Sequence, residues 1–254
     1  MATSLPILTF HSLDDRSSIL SFSPQVFRRG IARLYESGYK TMSLLEAVGC
    51  LRRGKGFPDR SLVITFDDGY QSVYEEAFPT LHHYGMSATI FLAVGERKAL
   101  KPDARLHSLN TSPMLSWYEI RRMYRSGIHF GAHTLTHPDL TRLSVDRLIA
   151  EVYESKAIVE ELLGGPAASF AYPYGRYDRR TREIVERYFA CACTDKLALI
   201  TADSDPYALE RVDAFYLRSN WLFDMIPTGF FPWYVRALSI PRRLRRAFQL
   251  SLNT

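Results

Sequence analysis

Asp67 and Asp68 are adjacent carboxylates set between the apolar run Leu62-Val63-Ile64 and Gly69. The run is short, contains β-branched residues and is bounded by a turn residue, which predicts the end of a buried strand. Gly69 permits a sharp turn directly afterwards. Side chains alternate along a strand, so the two carboxylates need not share a direction. One can bind a cation while the other acts as a base. Asp-Asp-Gly is also an ordinary polar turn, and the segment alone leaves both accounts open. Further along, His133-Thr134-Leu135-Thr136-His137 sets two imidazoles four residues apart. On one helical turn they would lie on the same side, roughly 5–6 Å apart at Cβ. Two histidines, one carboxylate and an open position make a hydrolytic zinc site, with Asp68 as the third ligand. Pro138 follows immediately and favours a turn over a long helix, so two separate polar turn residues are the competing account.

These residues need elements to bring them together. Leu5 to Phe10 reads as a first strand ending at His11. Ser23 and Pro24 fit the cap and first position of a helix whose buried stripe is Phe27, Ile31 and Leu34, with Gly38 as its stop. A short strand follows near residues 39–42. Ser43 caps a second helix bearing Leu44, Leu45, Val48 and Leu51. After the Asp-Asp-Gly strand come a helix from about 72 to 84, a strand over 88–94 and a long loop over 96–113. Ser116 caps a helix to Arg125, and 129–132 reads as a strand entering the two-histidine motif. A long helix opens at Ser144 and closes at Gly164-Gly165-Pro166. The last elements are a strand over 168–172, a helix over 178–188 and a strand over 189–193. Alternating strands and helices predict a parallel sheet or barrel. His11, Asp67, Asp68, His133 and Tyr174 each follow a strand, and residues at the C-terminal ends of barrel strands form the site in α/β barrels.

The 254 residues, 46% hydrophobic and 23% charged, suffice for a large core without staples. Three cysteines argue against a disulfide framework and suit a reducing compartment. Cys191 and Cys193 alternate with alanines and read as small core residues on one strand face. There is no charged, apolar leader at the N-terminus and no window long enough to span a membrane. The expectation is a soluble, cytoplasmic protein. The net charge of +5 is carried by residues 211–254, with seven arginines against two aspartates, and the preceding 210 residues balance to zero. A basic pI confined to the tail weakens any nucleic-acid reading of the body.

Thr65-Phe66-Asp67-Asp68-Gly69, His133-Thr134-Leu135-Thr136-His137 and Phe170-Ala171-Tyr172-Pro173-Tyr174-Gly175 resemble the ordered motifs of the polysaccharide deacetylase family, the NodB-homology enzymes of carbohydrate esterase family 4. The resemblance spans about residues 5–215. It implies an α/β fold, a distorted (β/α) barrel, as a single domain over 1–215, with 216–254 as a basic, aromatic-rich extension. It also implies a divalent metal, most often zinc, and removal of acetyl groups from N-acetylated sugars by cleavage of a C–N amide bond that is not a peptide bond. Asp67 matches the family's general base. Asp68, His133 and His137 match its metal ligands, and Tyr174 the residue whose backbone N–H helps hold the oxyanion. The chemistry agrees: a metal polarises the amide carbonyl and acidifies water, and N–H donors stabilise the tetrahedral oxyanion.

The chain departs from the family pattern twice. An arginine that orients the base usually stands where this chain has Ala171. Arg211 is the candidate substitute, and a plain surface arginine is the other account. The family's late Leu-x-x-His motif, which supplies the general acid, is absent, since no histidine follows His137. His11 is the candidate acid, resembling the N-terminal histidine of circularly rearranged exopolysaccharide deacetylases, with a near-neutral pKa suited to the task. His82, His83, His107 and His129 pair with nothing by spacing. Ser12, Asp14 and Asp15 could contact sugar hydroxyls or form a polar loop.

The tail carries Trp221, Phe223, Phe230, Phe231, Trp233 and Tyr234 ahead of Arg242-Arg243-Leu244-Arg245-Arg246. It suits either peripheral contact with an anionic membrane face, here the inner one, or packing of the aromatics on the barrel. The leading expectation is a zinc-dependent deacetylase of an N-acetylated polysaccharide, oligosaccharide or lipid- or nucleotide-linked precursor. The alternatives are a hydrolase of a non-sugar amide or imide and a non-catalytic glycan- or membrane-binding module.

Overall fold

The computed structural model describes residues 1–95, 104–106, 108–109 and 112–239. Seven parallel strands close into a barrel: β1 (Ile7–Phe10), β2 (Ser61–Phe66), β3 (Thr89–Leu92), β4 (His129–Ala132), β5 (Ser169–Ala171), β6 (Cys191–Leu197) and β7 (Leu209–Asp213). Each pairs with the next in chain order, and β7 closes the ring on β1 through Val212 opposite Leu8. A short strand, Lys40–Thr41, adds outside β2. The predicted first strand is divided: Ser4–Leu5 pairs antiparallel with Ile200–Thr201, and only the residues after Pro6 enter the barrel.

Alternation along the strands sorts the core. Ile7, Val63, Phe91, Ala171, Cys191, Cys193 and Leu209 form one buried cluster with helix α2 (Leu44–Arg52). The alternate residues Leu8, Phe10, Ile64, Phe66, Ile90 and Leu92 face the other way, into the largest cluster. Cys191 and Cys193 are the small core residues their spacing predicts. Helix α1 (Pro24–Glu36) buries Phe27, Ile31 and Leu34, and Phe27 meets Phe10 edge-on at 5.2 Å.

Ser43 and Ser116 each make a full capping box, at the starts of α2 and of the helix Trp117–Arg125. Ser23 makes no side-chain cap bond, and Pro24 alone marks that helix start. Of the apolar residues named on the second helix, Leu45 is exposed, and Ala47 and Cys50 are buried beside Leu44, Val48 and Leu51. The helix predicted from 72 begins as a π-turn, Val73–Ala77, before Phe78–His83. Most of the predicted loop over 96–113 lies outside the described residues.

The C-terminal segment packs on this body. Leu217, Phe223, Ile226, Phe231 and Val235 join the largest core cluster. Phe223 reaches α1 at Gly30, where an added Cβ would stand 2.5 Å from its ring. Trp221, Phe230 and Trp233 remain exposed, so packing on the barrel accounts for only some of the aromatics. The arginine run 242–246 lies outside the described residues.

Candidate active site

The end of β2 splits the paired carboxylates. Asp67 still continues the ladder, its N–H donating to the Phe10 carbonyl at 2.9 Å. Asp68 has φ +74° and Gly69 φ +87°. The divergence of the two side chains therefore comes from a left-handed corner, beyond the alternation expected of a strand. A left-handed aspartate costs on the order of 1 kcal/mol. Gly69 is required twice over, since a Cβ there would also stand 2.6 Å from Leu106 Cδ1.

Asp67 is locked from across the barrel. Arg211, on β7, grips both its oxygens, Nη1 to Oδ1 and Nη2 to Oδ2, each at 2.7 Å. The guanidinium also donates to Thr9 Oγ1 at 2.9 Å, Thr65 Oγ1 at 3.3 Å and the Thr194 carbonyl at 2.9 Å. Both partners are almost fully buried. Burial alone would raise the Asp67 pKa. The facing guanidinium charge and its hydrogen bonds outweigh that and hold the carboxyl well below the usual carboxylate range. Asp67 is thus ionised at neutral pH. Arg211 is no surface arginine.

The second carboxylate meets the histidines. His133 Nε2 and His137 Nε2 each lie 3.5 Å from Asp68 Oδ1, and 3.1 Å from one another. His133 Nδ1 faces the Ala171 carbonyl at 2.7 Å; donating there leaves Nε2 as a bare acceptor. Burial, then the neighbouring His133, pushes the His137 imidazole down to about 4, so it is neutral at pH 7. Asp68 Oδ1 is buried without a hydrogen-bond partner. Three lone-pair donors therefore converge, all within 4.8 Å of one another, and among the described residues no other such trio occurs. One oxygen and two imidazole nitrogens around a buried, unsatisfied point fit a divalent cation.

The loop carrying the histidines is not helical, as Pro138 warned. Thr134 and His137 have φ of +72° and +58°, and these two left-handed residues return position 137 to the side of 133. Thr134 Oγ1 accepts from the His137 N–H at 2.9 Å. Glu151, on the helix Val145–Leu163, accepts from the N–H groups of Leu135 and Thr136 at 2.8 and 3.0 Å and from Thr136 Oγ1 at 2.7 Å. Glu151 escaped notice in the sequence. The available signal was its place among Leu148, Val152 and Ser155, an acid on a buried stripe.

His11 and Tyr174 complete the arrangement. His11 Nε2 is 4.0 Å from Asp67 Oδ2, with its side chain one-fifth exposed. Tyr174 has φ +57° in a tight turn after β5, and its ring meets the His137 ring at 4.7 Å. His11, Asp67, Asp68, His133, His137, Tyr174 and Arg211 all line one cavity of about 240 Å³ at the C-terminal mouth of the barrel, whereas Ser12, Asp14 and Asp15 do not. A larger groove of about 580 Å³, with Tyr74, Phe78, His82, His83 and Arg122, holds no ligand trio. His129 is exposed, and His107 lies outside the described residues.

A family profile described as polysaccharide deacetylase matches residues 54–189. Its span contains the Asp-Asp-Gly corner, the two histidines and Tyr174, but neither His11 nor Arg211. The polysaccharide deacetylase-like protein YxkH of Bacillus subtilis (strain 168) is 30% identical over 209 residues, 82% of this chain and 70% of its own. The poly-beta-1,6-N-acetyl-D-glucosamine N-deacetylase of Staphylococcus aureus (strain MRSA252) is 27% identical over 218 residues, 79% of this chain and 72% of its own. Among solved structures, the Streptococcus pyogenes deacetylase PplD in complex with acetate shares the fold, with a TM-score of 0.74 at 24% identity over 84% of this chain and 93% of that one. The profile and the sequence relatives, with the three motifs converging on one cavity, place this chain in the polysaccharide deacetylase family.

Proposed function

We propose that the chain removes N-acetyl groups from an N-acetylated sugar, in a polymer or in an oligosaccharide or lipid- or nucleotide-linked precursor. The observation that carries this is the juxtaposition of two unlike carboxylates in one cavity: Asp67, ionised and clamped by Arg211, and Asp68, with one buried oxygen that has no hydrogen-bond partner and faces two imidazole nitrogens. Asp68, His133 and His137 would hold a divalent cation, zinc by their donor types, which when bound polarises an acyl carbonyl and acidifies water. Asp67 accepts the proton of the attacking water, its orientation fixed by the bidentate grip of Arg211. The Tyr174 N–H donates to the developing oxyanion. Protonated His11 gives its proton to the departing amine, a role supported by its place beside Asp67 and on the cavity wall.

The test is acetate release from N-acetylglucosamine oligomers with and without added zinc, for the wild type and Asp67→Asn. Zinc-dependent release, falling about 10²–10⁴-fold in the variant, is the expected result for loss of a general base. Release from non-sugar amides alone would move the assignment to that substrate class, and none from any acyl compound would reject it.

A membrane contact through the extension is supported by Trp221, Phe230 and Trp233, exposed at 65%, 71% and 69%, beside the basic tail sequence. Co-sedimentation with anionic vesicles that weakens in Phe230→Ser and Trp233→Ser supports it. Equal recovery with neutral and anionic vesicles rejects it.

A further inference from the structure

Four large apolar side chains stand exposed or partly exposed around the mouth of the catalytic cavity, and each is at most one step from a residue that lines it. Ile19, 75% exposed, is bonded to Leu20, which lines the cavity. Tyr174 lines the cavity itself and is more than half exposed. Tyr177 stacks on the lining residue Tyr172, with ring centroids 4.8 Å apart. The Phe215 N–H donates to Asp213, another lining residue, at 2.8 Å. The four come from separate segments that follow β1, β5 and β7. Single exposed apolar residues are ordinary on a protein surface, but their collection around one opening marks an apolar partner.

The rim has the chemistry of a membrane interface. Arg218 Nη2 donates to the carbonyls of Ser18 at 2.6 Å and Ser21 at 3.3 Å, which flank Ile19. Its guanidinium lies over the Phe215 ring, 4.5 Å from the centroid. One arginine thus holds Ile19 and Phe215 together, and these partners are neutral, so they leave its charge uncancelled. Arg176 stands 6.0 Å from the centroid of the Tyr174 ring. Rings beside guanidiniums suit the headgroup level of a bilayer, where the ring enters the acyl boundary and the cation meets lipid phosphate. The C-terminal extension is tied to the same rim. Tyr234 OH donates at 2.8 Å to the carbonyl of Tyr216, the residue after Phe215, and the neighbouring Trp233 is exposed. The net charge of +5 over residues 211–254 complements an anionic surface.

We propose that the mouth of the barrel docks against an anionic lipid bilayer, with Ile19 and Phe215 at the acyl boundary, and that the sugar to be deacetylated is carried by a lipid. The lipid-linked substrate rests on the deacetylase reading; the docking does not. A contact made by the extension alone would leave the opening in water, whereas here the opening itself faces the lipid.

The docking is read by fluorescence from Ile19→Trp in a Trp221→Phe, Trp233→Phe background, with phosphatidylcholine–phosphatidylglycerol vesicles that carry brominated acyl chains. Trp117 is buried and serves as the unquenched reference. Tyr35→Trp is the control, an exposed position at the end of α1 remote from the mouth, beside the strand that pairs with the start of β2. Quenching at 19 and none at 35 is expected. Vesicle binding without quenching at 19 assigns the contact to the extension alone and overturns the proposal, as does no binding at all, which leaves the rim to a protein partner. The substrate is read by kcat/KM for acetate release from an N-acetylglucosaminyl lipid in these vesicles and from water-soluble N-acetylglucosamine oligomers. In Ile19→Asp and Phe215→Asp the vesicle-borne rate is expected to fall about tenfold, the scale of one apolar side chain leaving hydrocarbon. The soluble rate stays within about twofold of wild type. An equal fall on both substrates, or none on either, overturns the lipid-borne substrate. If wild type releases acetate from neither, the deacetylase reading fails, and quenching at 19 decides the docking by itself.

Discussion

The two carboxylates of one dipeptide live in opposite conditions. Asp67 is saturated, with both oxygens held by a guanidinium that is itself tied to two threonines and a backbone carbonyl. Asp68 is left wanting, one buried oxygen facing two imidazole nitrogens and without a hydrogen-bond partner. A saturated buried charge is fixed in place and in protonation state, as a positioned base must be. An unsaturated one at a convergence of acceptors is destabilising until a cation arrives. The contrast separates the two halves of the chemistry within a few ångströms.

The strongest way to break this contrast is to remove a ligand. His133→Ala is expected to abolish metal binding, measured as bound zinc per chain, and to take acetate release to background. Added zinc restores activity to chelated wild type and not to the variant. Next is His11→Asn, expected to lower kcat by about 10²–10⁴-fold with metal content unchanged; near-normal turnover removes His11 from the mechanism. Arg211→Met attacks the saturated half. It strands a buried carboxylate and is expected to cost about 3–5 kcal/mol in denaturant unfolding. Because Arg211 holds the Asp67 pKa down, the folded-state stability it confers is present above the ordinary carboxylate pKa and is lost as pH falls. In the variant the Asp67 pKa rises, so the acidic limb of the activity profile moves to higher pH. The smallest effect is Glu151→Gln, which loosens the histidine loop and is expected to weaken zinc affinity by about 10–100-fold. Unchanged affinity would show that the loop holds its shape without that carboxylate.

Legibility followed local physics. Ser43 and Ser116 announced helix starts because a capping box is written within four residues. Asp67, Asp68 and Gly69 announced a corner because only a few residue types tolerate one. The strand Leu209–Asp213 gave no such sign. Both its faces carry charge, Glu210 pairing with Lys196 at 2.6 Å and Arg211 with Asp67, so the apolar alternation that marks a strand is missing. The placement of Arg211 follows from barrel closure, a long-range fact. The histidine spacing suggested a helical turn, but a loop with two left-handed residues achieves the same approach, and the carboxylate that shapes it stands fourteen residues beyond.

The seam between the first and last barrel strands has a consequence for how the enzyme comes into being. His11 follows one side of that seam, Arg211 sits on the other, and Asp67 faces both. Until the final strand docks, the acid at 67 has no countercharge and the ring stands open beside it. Completing the architecture and fixing the Asp67 carboxylate are therefore one event, so a chain that stalls or is clipped before residue 209 has all three proposed metal ligands in hand and no means to hold the proposed base.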